Sequence, residues 1–474
     1  MMLPMDNLIK KIKTDKILNQ INVENKNYNL YLVGGFLRDT ILNKDSFDRD
    51  LIIENTSAYE FSKDLADRLQ GHFIILDQEN QIYRIVLQDK KNSIDIAKMQ
   101  GTDIYQDLRS RDLTINSLCF DLKENKIIDC TDAYKDIKNK QLYTYNLDNF
   151  KSDPLRMLRV FRFASILDFS INNNILDFIK DNYSLINNCA CERIIYELLK
   201  FFEGDYCSSY IEAMDKCNLL ELFFPIIAEV KKIPPNLHHH LDLFHHSIET
   251  VRQLELIYKN SDDNIKKYFD EVFQHNITRI SFLKLSGFLH DIGKPSTWSI
   301  EENTLRHRFI KHDEIGSKLV IPILRGLKFS KLSQEYISKL IKNHIYPSCL
   351  TSGNDYTTKA KYKFYRKTEN FTIDVISLAK ADRLSALGPE ITKDIVNENI
   401  NNLNNLLNDY FEFKNNEKPL EKLIDGNEIF KLLKLEDKKE LSPIIKELKE
   451  AQLSGDVNNK EEAIDFLLKI KKNL

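Results

Sequence analysis

Short apolar runs alternate with turn residues over the first part of the chain. Within residues 28–150 the runs YNLYLVGG, DRDLIIE, HFIILD, YRIVL, SIDIA and SLCFDL have the length and bounding residues of β-strands. The segment SAYEFSKDLADRLQ between two of these runs carries apolar residues at helical spacing. The pattern therefore predicts an α+β domain over residues 1–150, which we call the head.

The rest of the chain has the periodicity of helices. From Pro154 onward strand patterns fade, and segments such as DPLRMLRVFRFASI and CERIIYELLKFF have apolar residues at helical spacing. Pro234 and Pro235 indicate a linker, and KKELSPIIKELKEAQL and KEEAIDFLLKIKKNL are the clearest C-terminal helices. These patterns predict three helical regions after the head: a neck at 151–230, a body at 231–390 and a charged tail at 391–474.

Composition narrows the class of protein. A chain of 474 residues exceeds one compact core, so several domains are expected. It has 42% hydrophobic and 29% charged residues, as globular proteins do, and no apolar stretch reaches the roughly 20 residues of a membrane helix. We expect no signal peptide and no membrane partner. The seven cysteines form no CxxC pair, which favours reduced thiols and a cytoplasmic location.

The segment YLVGGFLRDTILNKDSFDRDLIIE carries the first candidate chemistry. A strand ends at Gly34 and Gly35, where the absence of Cβ atoms lets backbone amides approach a triphosphate. Arg38 and Asp39 follow one turn into a helix, from which a guanidinium can reach a phosphate. These four residues are therefore predicted to bind nucleotide.

Two aspartates follow this loop. Asp48 and Asp50 flank Arg49, and residues two apart in a strand point to the same side. Both carboxylates can therefore hold Mg²⁺, which nucleotidyl transfer needs to activate a 3′-hydroxyl and to neutralise the leaving pyrophosphate. The order of strand, glycine pair, helix and aspartate pair predicts a nucleotidyltransferase.

Two further segments support nucleotide binding. The segment SRDLTINS brings three polar side chains into one short element: Arg111, Asp112 and Asn116. The segment DPLRMLRVFRF places arginines at positions i, i+3 and i+6 of a helix: Arg156, Arg159 and Arg162. An apolar stripe of Leu155, Leu158 and Phe161 runs parallel to them, so the helix is predicted to be docked with its basic stripe facing a ligand.

The ordered set LVGGFLRD, DRD, RDLTINSL and DPLRMLRVFRFA resembles the class II tRNA nucleotidyltransferases, the CCA-adding enzymes, and their bacterial poly(A) polymerase relatives. The segment CERIIYELLKFF resembles the family's ERI-x-x-EL helix, so the resemblance spans residues 30–200. It implies a head of the polymerase-β superfamily followed by a helical neck, body and tail. It also implies that the chain adds CCA, or part of it, to the 3′ end of tRNA from CTP and ATP.

The resemblance also assigns roles to residues. Asp48 and Asp50 correspond to the aspartates that bind the catalytic metals. Asp153 and Arg156 correspond to a protein template that pairs with the base edges of C and A, which suits a carboxylate acceptor beside a guanidinium donor. Residues three apart on a helix share a face, so we expect both groups to address one base edge together. Arg159 would stack on the base or position it.

Arg111 and Asp112 resemble residues that organise the ribose and the triphosphate. Ser152-Asp153 stands where many members have Glu-Asp, and SIDIAKMQGTDIYQDLRSRD leaves little room for the flexible loop of full CCA-adding enzymes. CC-only addition, A-only addition and poly(A) synthesis therefore stay as alternatives. Asp95 is open to two interpretations, a third metal carboxylate or a solvent-facing strand residue.

Histidines are concentrated in the body. Of the eleven histidines, only His72 lies outside the span from His238 to His344. LHDIGKP supplies adjacent His290 and Asp291. Further ligand candidates lie in LFHHSIET, KHDEIGS, IKNHIYP and AKADRLSA: His246, His312, His344 and Asp382.

Imidazoles and carboxylates from separate helices suit Mn²⁺, Fe²⁺, Ni²⁺, Co²⁺ or Mg²⁺ better than a thiolate zinc site does. The set resembles the HD phosphohydrolase superfamily, whose H…HD…D pattern maps onto these positions: His246, His290, Asp291 and Asp382. The resemblance implies hydrolysis of 2′,3′-cyclic phosphates or phosphomonoesters. An HD phosphohydrolase with a degenerate head is the alternative from another class. No role is predicted for the other histidines: His238 to His240, His275 and His307.

Overall fold

The computed structural model describes residues 3–21, 28–304, 306–352, 356–416, 422–435, 437, 440–453 and 456–471. The remaining positions, which include parts of the predicted tail at 391–474 and of its helix KKELSPIIKELKEAQL, lie outside the described residues. The chain divides into two compact units, Met1–Leu222 and Phe223–Leu474. No helix in the described ranges combines the length and the apolar character needed to cross a membrane.

The first unit combines a mixed sheet with helices. Its strands are β1 Asn29–Val33, β2 Asp48–Glu54, β3 His72–Asp77, β4 Ile82–Val86, β5 Ser93–Lys98, β6 Cys119–Asp121, β7 Lys126–Ile128, β8 Gln141–Leu142 and β9 Ser170–Ile171. Its helices are α1 Met5–Lys13, α2 Gly35–Ile41, α3 Ala58–Leu69, α4 Ile104–Arg109, α5 Ala133–Asn139, α6 Asp148–Ser152, α7 Arg156–Leu167, α8 Asn173–Asn182, α9 Cys191–Glu203 and α10 Ser208–Lys216. Helix α11, Leu219–Phe223, spans the division between the units.

Among the described residues the main sheet has seven strands in the order β3-β4-β5-β2-β1-β6-β7. The pair β2–β5 is parallel and the other neighbours are antiparallel. Each apolar run that the sequence analysis assigned as a strand forms one, and the predicted α+β class is confirmed. Strand β7 was not predicted, because its three residues are too few to show a period.

The register of β1 and β2 places the glycine loop beside the aspartates. Val33 pairs with Asp50 and Tyr31 with Ile52, so the end of β1 meets the beginning of β2. Further along this face, helix α4 packs on the sheet and covers it with apolar side chains. Apolar side chains therefore cover this part of the sheet, and Asp48 and Asp50 lie at one end of the covered surface.

Helix α7 begins later than the sequence pattern suggested for its template motif. The helix starts at Arg156, whereas Asp153 is extended with φ −140° and ψ 93°. Pro154 explains this difference, since a proline disfavours the helical conformation in the residue before it. The expectation that Asp153 and Arg156 share a helix face is therefore wrong, although both belong to one tight segment.

The second unit is mostly helical. Its helices are α12 Ile227–Val230, α13 Leu243–Asn260, α14 Asp263–Asp270, α15 Arg279–Leu289, α16 Lys294–Thr297, α17 His312–Gly326, α18 Lys331–Asn343, α19 Tyr346–Ser352, α20 Thr358–Thr368, α21 Thr372–Ser385, α22 Lys393–Asn416, α23 Gly426–Leu433, α24 Leu441–Leu453 and α25 Lys460–Lys471. Two small hairpins, unpredicted from the sequence, are formed by β10 Val272–Gln274 with β11 Ile277–Thr278, and by β12 Trp298–Ile300 with β13 His307–Phe309.

Helix α15 forms the centre of this unit. Every residue from Ile280 to Leu289 is buried, as expected of a helix that is surrounded by others. Helices α13, α18 and α21 pack against it. Its C-terminus delivers His290 into the interior, next to residues supplied by those helices.

Candidate active site and metal cluster

Gly34 allows its loop to approach Asp50 closely. Its φ is +76°, and a Cβ built there would lie 2.8 Å from Oδ2 of Asp50. Both the left-handed backbone and the missing side chain are therefore needed. The predicted phosphate loop and the predicted metal carboxylates lie directly against each other.

Asp48 and Asp50 share one face of β2, and Arg49 faces the other way, where it forms an ion pair with Asp15 at 2.6 Å. Asp48 accepts a hydrogen bond of 2.5 Å from Ser93. No hydrogen bond or ion pair to the carboxylate of Asp50 is present among the described residues. Burial, followed by the charge of Asp95, raises the pKa of Asp50 to about 6. A covered carboxylate without a partner fits a divalent cation.

Asp95 also faces this site. It pairs with Asp50 across the parallel β2–β5 ladder and with Arg84 across β4–β5. The Arg84 guanidinium donates to both carboxylate oxygens, each at 2.7 Å. The side chain of Asp95 is therefore held in the cavity wall and is largely covered.

A chain of polar contacts joins the three predicted nucleotide-binding segments. Arg38 donates to Asp39 at 2.9 Å and to Asn116 at 2.7 Å. Asn116 donates to Asp112 at 3.1 Å, and Asp112 accepts from Arg159 at 2.7 Å. Residues from the glycine loop, the RDLTINS segment and helix α7 therefore form one connected network.

Arg162 ends this network at a buried carboxylate. It donates to Glu197 of α9 at 3.1 Å, and Arg159 lies 3.9 Å from the same oxygen. Burial, together with the nearby charge of Arg159, lowers the pKa of Arg162. Among the described residues, Oε2 of Glu197 and Nε of Arg162 have no hydrogen-bond partner. The guanidinium groups of Arg38, Arg159 and Arg162 all lie within 5.5 Å of the Phe163 ring centroid.

Arg111 lies under the glycine loop. It donates to Asp107 at 3.3 Å and to the backbone carbonyl of Asn116 at 3.2 Å. One of its nitrogens would be 3.6 Å from a Cβ at Gly34. This places positive charge beside the loop that is predicted to bind the triphosphate.

The predicted template residues lie at the opposite wall. Arg156 donates to the backbone carbonyl of Ser110 at 2.7 Å, and Asp153 accepts from Arg193 of α9 at 3.0 Å. The guanidinium of Arg156 and the carboxylate of Asp153 are therefore each held by a hydrogen bond to the protein. Their assignment to base recognition stays a prediction.

These groups line one cavity of about 910 Å³, a volume typical of small-molecule sites. All the positions of the head and neck predicted to act on nucleotide contribute to its wall: Gly34, Gly35, Arg38, Asp39, Asp48, Asp50, Arg111, Asp112, Asn116, Asp153, Arg156, Arg159 and Arg162. The sequence analysis missed Arg84, Phe163, Arg193 and Glu197 as members of the site. Arg193 and Glu197 could have been suggested by their positions in the ERI-x-x-EL segment. No sequence pattern indicated Arg84 or Phe163.

In the second unit, four predicted ligands converge from three helices. Nε2 of His246 lies 3.3 Å from Nε2 of His290, 3.4 Å from Asp291 and 3.2 Å from Asp382. Nε2 of His290 lies 3.2 Å from the same Asp291 oxygen, Oδ2. Such spacing brings the donor atoms within reach of one cation.

The two further histidines approach the other oxygen of Asp291. His312 and His344 lie 3.3 and 3.7 Å from Oδ1, and their Nε2 atoms are 3.3 Å apart. Among the described residues neither oxygen of Asp291 accepts a hydrogen bond of regular geometry, although the Lys294 ammonium lies 2.5 Å from Oδ2. Asp291 thus offers one oxygen to each of two histidine pairs.

Backbone carbonyls orient these imidazoles. Nδ1 of His290, His312 and His344 lies 2.7, 2.7 and 2.6 Å from the carbonyls of Gly287, Phe309 and Ile341. A proton on each Nδ1 leaves Nε2 with a free lone pair, as metal-binding histidines require. Although burial opposes the charge, the carboxylate of Asp291 raises the pKa of His290 to about 10. The pocket therefore stabilises positive charge, and a cation can replace that proton.

His239 and Lys294 were not expected here. The His239 ring centroid lies 4.6 Å from that of His246, and the Lys294 ammonium contacts Asp291 at 2.5 Å. Burial and then the charge of Lys294 lower the pKa of His239 to about 2. No sequence pattern distinguished His239 from its neighbours His238 and His240.

Three known families match the chain in order. The poly A polymerase head domain matches residues 30–143, the probable RNA and SrmB-binding site of polymerase A matches 168–231, and the HD domain matches 243–387. Nucleotidyltransferase and HD domains generally need divalent metal ions.

Similar proteins match over nearly the whole length. The CC-adding tRNA nucleotidyltransferase of Thermus thermophilus is 25% identical, with 92% of each chain covered, and the A-adding enzyme of Deinococcus radiodurans is 26% identical, covering 92% of this chain and 94% of its own. A solved structure of the Thermotoga maritima CCA-adding enzyme with tRNA shares the fold, with a TM-score of 0.61, 20% identity and coverage of 99% and 98%. With its head, RNA-binding region and HD domain in this order, the chain belongs to the family of tRNA nucleotidyltransferases and bacterial poly(A) polymerases that carry a fused HD domain.

Proposed function

We propose that this protein adds CCA, or part of that sequence, to the 3′ end of tRNA from CTP and ATP and releases pyrophosphate. The observation that carries the proposal is the position of Asp48 and Asp50. They lie on one face of β2, with Asp50 directly against Gly34, at a cavity lined by arginines. The names of the similar enzymes support tRNA as the acceptor.

In the reaction, the 3′-oxygen of the tRNA bonds to the α-phosphorus as the bond from that phosphorus to the pyrophosphate oxygen breaks. Mg²⁺ held by Asp48 and Asp50 would lower the pKa of the attacking hydroxyl and neutralise the leaving group. The residues of the chain orient the nucleotide. Gly34 and Gly35 admit the triphosphate, and Arg111 supplies charge beside them.

Base selection is assigned to the opposite wall. Asp153 accepts from the amino group of either base, and Arg156 donates to the ring nitrogen of A or to the ring nitrogen or O2 of C. Arg193 holds Asp153 and the Ser110 carbonyl holds Arg156, which limits the motion of both groups. The base is positioned from helix α7 by Arg159 and Arg162. The two walls of the cavity are joined by hydrogen bonds among Arg38, Asp39, Asn116 and Asp112 and from Arg159 to Asp112.

A second candidate function belongs to the HD domain. We propose that it hydrolyses phosphate esters, either 2′,3′-cyclic phosphates or phosphomonoesters, with a divalent metal. The supporting observation is the convergence of preoriented Nε2 atoms on both oxygens of Asp291. The donor set favours Mn²⁺, Fe²⁺, Ni²⁺, Co²⁺ or Mg²⁺ over a structural zinc.

The remaining assignments belong to the same proposal. The head is placed at 1–150, the neck at 151–230 with RNA-binding residues, the HD domain at 231–390, and a tRNA-binding tail at 391–474. All seven cysteines are free thiols, which supports a cytoplasmic location.

A primer-extension assay tests the main proposal. Three tRNA substrates ending at the discriminator base, at C and at CC are each incubated with CTP or ATP. Stepwise addition of C, C and A is expected of a full CCA-adding enzyme, while extension of only some primers identifies a partial one. Long A tails would indicate a poly(A) polymerase, and no extension of any primer would overturn the proposal.

A further inference from the structure

Arg84 lies in line with the metal-binding carboxylates. The register pairs Asp50 with Asp95 and Asp95 with Arg84, so the three residues form a row across β2, β5 and β4. Neighbouring strands are about 4.8 Å apart, which places the Arg84 backbone about 10 Å from that of Asp50. The side chain of Arg84 can span this distance, and it lines the same cavity.

The ion pair with Asp95 occupies only one edge of the guanidinium. Nε and Nη2 donate to Asp95, and Nη1 makes no hydrogen bond with any described residue. A guanidinium has two edges, each of which fits carboxylate or phosphate oxygens. One edge of Arg84 is therefore fixed and the other is available to a ligand.

Other arginines beside the glycine loop lack this free group. Arg38 engages all three guanidinium nitrogens with Asp39 and Asn116, and Arg111 engages all three with Asp107 and Asn116. The Arg84 side chain is also more open, 38% exposed against 10% for Arg38 and 23% for Arg111. Arg84 is thus the most accessible of the three to an anion in the cavity.

We propose that Arg84 is a triphosphate-binding residue of the head and that Asp95 is the positioning residue that orients it. Nη1 of Arg84 donates to a phosphoryl oxygen of the incoming nucleotide while Nε and Nη2 stay on Asp95. This inference rests on the proposed nucleotidyl transfer and assigns Asp95 an orienting role in it. Because the contact is to phosphate, it is the same for CTP and ATP.

Binding of inorganic tripolyphosphate by calorimetry, with the full chain and with or without Mg²⁺, tests the contact independently of turnover. Arg84→Gln is expected to lower the affinity for tripolyphosphate and to raise KM for both CTP and ATP. Each change should be about 10- to 150-fold, which is the effect of one charge-assisted hydrogen bond. kcat at saturating nucleotide should change little. Arg84→Lys should also bind tripolyphosphate weakly, because an ammonium group keeps the charge but lacks the second edge of a guanidinium.

Asp95→Asn separates orientation from metal binding. If Asp95 orients Arg84, Asp95→Asn lowers the affinity for tripolyphosphate as much as Arg84→Gln does. The double variant should then bind tripolyphosphate no more weakly than Arg84→Gln alone. Arg68→Gln, which removes an exposed arginine of the head outside the cavity, should behave as wild type. Unchanged tripolyphosphate affinity in both Arg84 variants, or a changed CTP to ATP ratio, would overturn the inference. Wild-type protein that binds tripolyphosphate but never extends tRNA would overturn only the proposed function.

Discussion

Asp112 accepts a hydrogen bond of 2.7 Å from Nε of Arg159, and this contact joins the RDLTINS segment to helix α7. Burial by itself would raise the pKa of Asp112, but the charge of Arg159 and the hydrogen bonds of Asn116 and Arg159 hold it well below its usual value. The carboxylate is therefore ionised at any physiological pH. Arg159 is fixed in place before a nucleotide arrives.

The first prediction concerns this buried pair. Asp112→Ala is expected to lower the free energy of unfolding by about 3–5 kcal/mol, because it removes the closest carboxylate from Arg159 and leaves Glu197 at 3.9 Å and the charge of Asp153. The control is Asp64→Ala, which removes an exposed partner 3.0 Å from Arg68 and should cost less than about 1 kcal/mol. Chemical denaturation measures both values, and equal small losses would show that the pair contributes little.

The second prediction tests the metal carboxylates. Asp48→Ala or Asp50→Ala should abolish nucleotide addition but leave tRNA affinity close to that of wild type, because the metals act on the transition state. Primer extension and filter binding measure the two properties. Asp64→Ala, on the exposed surface of α3, is the matched control. Near wild-type turnover in either site variant would contradict the assignment.

The third prediction separates the two chemistries. The double variant His290→Ala, Asp291→Ala should lose bound metal and any phosphatase or cyclic phosphodiesterase activity, while CTP and ATP incorporation persists. The two ligand sets occupy different units and have different donor types. Metal content and both activities are measured on folded protein, with His275→Ala as control. Loss of both activities together would indicate a single composite site.

The fourth prediction concerns base selection. Arg156→Ala should relax discrimination among CTP, ATP, UTP and GTP more than it weakens triphosphate binding. A base-edge contact contributes about 1–3 kcal/mol, or roughly 5- to 150-fold, to discrimination. Values of kcat/KM for each nucleotide on the matching tRNA provide the measurement. A uniform decrease with unchanged ratios would identify Arg156 as a structural or phosphate-binding residue.

The fifth prediction is a pH dependence in the second unit. Asp374 is fully buried and accepts hydrogen bonds from Tyr268 and Tyr336. Burial outweighs the nearby charge of Arg279 and raises the pKa of Asp374 from 3.8 to about 6. The folded protein therefore holds a proton that the unfolded chain releases, so this contribution is fully present below pH 4 and is lost as the pH rises through about 6.

Over this interval the loss amounts to about 3 kcal/mol, given about 1.4 kcal/mol for each pKa unit. Asp374→Asn, which keeps the shape of the side chain, should remove this part of the slope, whereas the part that comes from Asp50, whose pKa is also raised to about 6, stays the same in both proteins. Denaturant unfolding at pH 4.5 and pH 7 compares the variant with wild type. The same slope in both proteins would show that another group titrates.

Local periodicity was sufficient to predict several parts of the site. Asp48 and Asp50 share a face because strand side chains alternate with period two, and Arg156, Arg159 and Arg162 align because a helix repeats every 3.6 residues. The adjacency of His290 and Asp291 is likewise present in the chain itself. Each relationship involves residues a few positions apart, so no knowledge of the fold was needed.

Relationships between distant segments depend on the tertiary structure. The parallel pairing of β2 with β5 places Asp95 beside Asp50, and helix α9 brings Glu197 to Arg162. His239 reaches His246 only because the irregular segment before α13 folds back on it. The sequence by itself determined most of the candidate residues of both sites, since residue type and local spacing are properties of the chain. Tertiary packing decided which charges are paired and which remain available, because burial and long-range register bring together groups that local patterns cannot connect.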